Sequence, residues 1–127
     1  MAVANAKVTV TRVDATLNSE IVYGTIAVDA NPATYATHGI PLSFASQDQI
    51  KSSAPPSLIT VSEAPASGSS ASGYEYIGVP GTTQINGVLQ IFQCAGSGNP
   101  NSELAAAAVP AAVSGAALVF KAEFPRL

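Results

Sequence analysis

Apolar and polar residues alternate along much of this chain with the period of two that marks β-strands, because successive side chains of an extended backbone point to opposite faces. Residues 7–14 read Lys-Val-Thr-Val-Thr-Arg-Val-Asp, with Val8 and Val10 on one face and Thr9, Thr11 and Val13 on the other. The β-branched content predicts a strand. After a turn at Leu17-Asn18-Ser19, residues 20–29 place Val22, Ile26 and Val28 on one face and Ile21 and Tyr23 on the other. Apolar residues on both faces predict a buried strand, Gly24 within it a bulge or a close backbone approach, and the two runs together an antiparallel pair.

Residues 40–44 form a short extended piece that Pro41 confines to a sheet edge. Residues 46–50 allow one helical turn capped by Ser46, which Ala54-Pro55-Pro56 ends. Strands are expected at 58–62, 74–79 and 88–94. The low-complexity run at 66–73 is expected to be a flexible loop. Pro80-Gly81 and Asn86-Gly87 mark turns, the second being a hairpin signal between paired strands. Residues 102–108 carry a short helix start, with Ser102 as N-cap and Glu103 in the first turn, until Pro110 stops it. In 116–124, Leu118, Phe120, Ala122 and Phe124 share one face, with Val119, Lys121 and Glu123 opposite, so this terminal strand must dock in a sheet. About six or seven strands with at most short helical turns predict an all-β fold, an antiparallel sandwich or barrel, as one domain over residues 1–127.

Composition adds an anomaly. Of the 127 residues, 47% are hydrophobic and only 10% charged, against roughly 25% charged in ordinary domains. A folded monomer of this size exposes on the order of 6,200 Å². Its thirteen charges then give about one per 480 Å², less than half the usual density. Interface cores are depleted in charge, so the composition points to assembly. The net charge of −3 and the scattered cations Lys7, Arg12, Lys51, Lys121 and Arg126 argue against nucleic acid as a partner. A single cysteine, Cys94, forms no intrachain disulfide and suits a reducing cytoplasm. The first residues lack the basic and apolar regions of a signal peptide. The uncharged run at 104–120 is short of a membrane span and is broken by Pro110, Ser114 and Gly115, so no membrane association is expected.

Signals for chemistry are sparse, and no enzymatic activity is expected. His38 and Cys94 make a dyad only if the fold unites them, and a structural zinc site needs about four Cys or His ligands. The eight carboxylates are dispersed without an Asp-x-Asp cluster for calcium. No catalytic, cofactor-binding or metal-binding residues are assigned. Tyr74 and Tyr76 share a strand face beside the Ser/Gly loop and are candidates for contacting a partner or stacking on a sugar. Leu104, Val109 and Val113 are candidates for a subunit or capsid interface, because their segment is apolar, interrupted and loop-like.

The order and texture of four stretches resemble the small β-rich head decoration, or cement, proteins of tailed bacteriophages. These are Val8-Thr-Val-Thr-Arg-Val-Asp14, Tyr23-Gly-Thr-Ile-Ala-Val-Asp29, Ala36-Thr-His-Gly-Ile-Pro-Leu42, and Glu103-Leu-Ala followed by Ala117-Leu-Val-Phe-Lys-Ala-Glu-Phe124. Such proteins often carry a double glycine where this chain has His38-Gly39. The resemblance implies a non-enzymatic structural protein on the exterior of the virion capsid, assembled in the host cytoplasm. It would act as a homotrimer that clamps neighbouring copies of the major capsid protein. The alternative expectation is a carbohydrate-binding or host-adhesion β-domain of a phage tail or fibre, resting on Tyr74 and Tyr76.

Overall fold

A computed structural model describes residues 4–29, 34–45, 47, 49–63, 74–93, 102–110, 113 and 117–125. Eight strands run in chain order: β1 (Ala6–Ala15), β2 (Ser19–Val28), β3 (Ile40–Leu42), β4 (Leu58–Glu63), β5 (Tyr74–Val79), β6 (Gly87–Gln93), β7 (Ser102–Glu103) and β8 (Leu118–Pro125). They form two antiparallel sheets, one ordered β1-β2-β8-β4 and the other β3-β6-β5, with β7 also paired to β6. The fold is an all-β sandwich. The terminal strand β8 lies between β2 and β4, which is where its fully apolar face belongs.

The inner faces carry out the alternation read from the sequence. Val22, Ile26, Leu118, Phe120, Ala122 and Phe124 from the first sheet are buried against Ile40, Leu42, Tyr76, Leu89 and Ile91 from the second. Phe44, just past β3, seals the layers with edge-on contacts to Phe120 at 5.7 Å and Phe124 at 5.3 Å between ring centroids. Such pairs add to the stabilisation from apolar burial itself.

Gly24 does what its place in the strand predicted. The register of β1 against β2 shifts between Val10 and Arg12, which leaves Thr11 as an extra residue beside Gly24. A side chain at Gly24 would strike the Thr9 carbonyl and stand 2.7 Å from the Phe120 ring. The bulge also returns Val13 to the core side, whereas unbroken alternation had placed it outside. Pro41 lies on β3, an edge strand, as expected. The segment 102–108 differs from expectation. Ser102 and Glu103 pair with Gln93 and Phe92 as strand β7, and Leu104 N–H donates to the Ile91 carbonyl at 2.8 Å. The open side of β6 offers these groups ladder partners, which outweighs a local helix start of only seven residues, 102–108, ahead of a proline.

The hairpin between β5 and β6 is longer than a two-residue turn. Asn86 closes it by accepting the Thr83 N–H at 2.8 Å and donating to the Thr82 hydroxyl at 2.8 Å. Gln47 N–H donates to Phe44 O at 3.3 Å and Ile50 N–H to Gln47 O at 3.1 Å; the helical turn expected at 46–50 includes residues 46 and 48, which lie outside the described residues. Ser46, Cys94, Arg126 and the loop at 66–73 lie outside the described residues.

Candidate functional site

Three of the expected interface residues are core residues. Leu104, Val109 and Val113 are 9%, 3% and 0% exposed within the single chain. Their segment is clamped by the β6–β7 pairing, by a bridge between Thr34 and Ala108, and by the Tyr35 N–H donating to Ala107 O at 2.9 Å. This corrects the expectation that they pack between subunits, because their own protomer already covers them. The segment looked too interrupted for a core because its apolar residues follow no strand or helix period. Tyr76 is likewise buried on the inner face of β5, and half-buried Tyr74 packs against the core beside it. Both line a cleft of about 380 Å³ where β4 and β5 splay apart, with Val61, Ser62, Glu63 and Glu75.

Groups that could do chemistry are separate. Glu103 receives the Tyr35 hydroxyl at 2.6 Å and the His38 backbone N–H at 2.8 Å. Burial, and then the bond to Glu103, raise the Tyr35 phenol to a pKa of about 12. The pair is structural, because the same hydroxyl accepts the Ile91 N–H at 3.2 Å and fills a gap in the sheet. Glu20 is buried, and its carboxylate accepts the Lys51 N–H at 3.1 Å and the Ser52 N–H at 2.5 Å. It thereby fixes a loop whose Ser52 hydroxyl donates to Pro125 O at 2.6 Å and whose carbonyls at Ser52 and Ala54 receive the Gln84 amide. Among the described residues no group of three or more His, Cys, Asp or Glu side chains could hold a metal ion. No helix among them is long and apolar enough to cross a membrane.

The outer faces of the two sheets remain, and they differ. An antiparallel sheet with one solvated face ordinarily turns polar residues outward. The second sheet turns out Pro41 on β3, Ile77 and Val79 on β5, and Val88 and Phe92 on β6, with Gln90 and Glu75 among them. Ile77 is 41% exposed. The row Val79–Val88–Pro41 adjoins the hairpin that presents Ile85, 59% exposed. These apolar side chains adjoin one another, Ile77 and Ile85 exposed and Val79, Val88 and Phe92 half-buried among the described residues.

The first sheet turns out more hydroxyls and charges, with Leu58 and Val119 exposed among them. Thr9, Thr25, Val119 and Ser62 form one cross-strand row, and Arg12, Tyr23, Lys121 and Thr60 the next. Arg12 lies 4.1 Å from the Tyr23 ring centroid and pairs with Asp14 at 3.2 Å. Between these outward side chains lies a depression of about 360 Å³, lined by Thr11, Tyr23, Thr25, Thr60, Ser62 and Val119 with Lys121 as its one charge.

No protein-family model, curated protein or solved structure matches the chain. The sequence showed the alternation on β5 and β6 but not which face was inward, because both faces of β6 are partly apolar. Ile77 and Phe92 had no sequence signal that set them apart from core residues.

Proposed function

We propose that this protein is a non-enzymatic structural protein of a bacteriophage particle, a decoration or cement protein that binds the outer surface of the head. It folds in the host cytoplasm, assembles as a homotrimer and holds neighbouring major capsid subunits together. The observation that carries the reading is the apolar outer face of the second sheet on a chain in which only 10% of residues are charged. A contiguous exposed apolar surface marks a binding site in a soluble protein, and interface cores combine apolar side chains with few charges. The resemblance of the strand texture to head decoration proteins supplies the particular partner. The carbohydrate-binding alternative needed two open aromatic rings, and burial of Tyr76 removes one of them.

The test is to add purified protein to phage heads that lack it and to follow co-sedimentation and thermal melting. The expected result is saturable binding and a higher melting temperature of the heads. Heads that sediment and melt unchanged at saturating protein would overturn the reading.

A further inference from the structure

We propose that the outer face of the second sheet docks on the outer face of the first sheet of another copy of this chain, with Ile77 entering the depression beside Lys121. The two surfaces are complementary in shape. Ile77 is an exposed aliphatic side chain on an open sheet face, and the depression between Thr25, Thr60, Val119 and Lys121 is a concavity of about 360 Å³ on the opposite face.

They are also complementary in charge. The described charges of the second sheet's outer face are exposed Glu75 and half-buried Glu103, and no Lys or Arg lies among its described residues. Three of the four described cations, Lys7, Arg12 and Lys121, project from the first sheet instead. Asp14 there is already paired with Arg12, and Glu123 sits one row beyond Lys121, next to Leu58. Glu75 precedes Ile77 by two positions on the same face of β5. A seated Ile77 therefore brings a carboxylate to the rim of a depression whose only charge is a cation.

The two faces lie on opposite sides of one protomer, so the contact is heterologous. It closes into a ring or continues as a chain according to the rotation between successive copies. This association does not depend on what surface the assembled protein covers, and it is measured without phage heads.

Native mass spectrometry and sedimentation equilibrium of the full chain across a concentration series test it. The wild type is expected above monomer mass, and Ile77→Asp at monomer mass with an unchanged far-ultraviolet spectrum. Glu75→Lys and Lys121→Glu each weaken association by roughly tenfold or more, since each sets like charges together. Both reversals in one chain restore it. A wild type that stays monomeric at every concentration overturns the proposal. So does an oligomer indifferent to Ile77→Asp, or a double reversal no tighter than the single ones.

Discussion

At residue 91 the second sheet runs out of strand partners, and Tyr35 fills the gap. On one side of β6, β3 reaches only to Leu89 and β7 begins at Phe92, so the Ile91 N–H between them would be orphaned. A buried unpaired N–H costs about 1–3 kcal/mol. The Tyr35 hydroxyl accepts it and donates its own hydrogen bond to Glu103, whose carboxylate also accepts the His38 N–H. That last bond helps hold His38 at a φ of 79°, a conformation in which glycine is at ease and other residues are not. A glycine at position 38 would meet the same need without strain. The Tyr35 network has a pH signature. Its phenol is raised to about 12 in the folded protein from an ordinary value of 10, so the unfolded chain gives up its proton first. The stabilisation is complete below pH 10 and is lost as pH rises through 12, by roughly 1.4 kcal/mol per pH unit in that window. Urea midpoints at pH 9 and pH 11 are expected to fall accordingly in the wild type, and Tyr35→Phe to be less stable at pH 9 with a smaller drop between the two. Equal drops in both proteins would dissociate the effect from Tyr35.

At the scale of elements, the strands were legible wherever one face had to be buried. The alternation in β2, β5 and β8 placed them within a residue or two, and Gly24 announced the bulge in β1. Elements fixed by long-range partners were not legible. Ser102 and Glu103 become a strand only because β6 has an open side. Glu20 looks like any solvated carboxylate at a strand end until residues 51 and 52 arrive with their N–H groups. Gly78 passes for a weak point in a strand, yet it sets how the two sheets meet. A side chain there would stand 2.7 Å from the Ile59 Cβ, where the edge of β5 crosses that of β4. Gly78→Ala is expected to force these edges apart and lower stability by about 1–3 kcal/mol, the usual cost of overpacking. Denaturant unfolding measures this, and a change under about 0.5 kcal/mol, typical of an uneventful surface position, would show that the edges yield freely.

For the whole molecule, burial reassigns the interface. The apolar segment around Leu104, Val109 and Val113 looked available to partners, but it closes the protomer's own core. The low charge content then needs another explanation, and the outer face of the second sheet provides it. The chain exposes 6957 Å² with only 10% charged residues, and Ile77 and Ile85 are exposed on this face and its adjoining hairpin, while Leu17, Leu58 and Val119 are exposed elsewhere. Hydroxyl-radical footprinting of the free protein and of the protein added to phage heads, the proposed particle, tests this most directly. The account predicts that Ile77, Phe92 and Ile85 react in the isolated, dilute chain and are protected in the particle, while the already buried Val109 stays unreactive in both. Equal reactivity of Ile77 and Phe92 in the two states would contradict it.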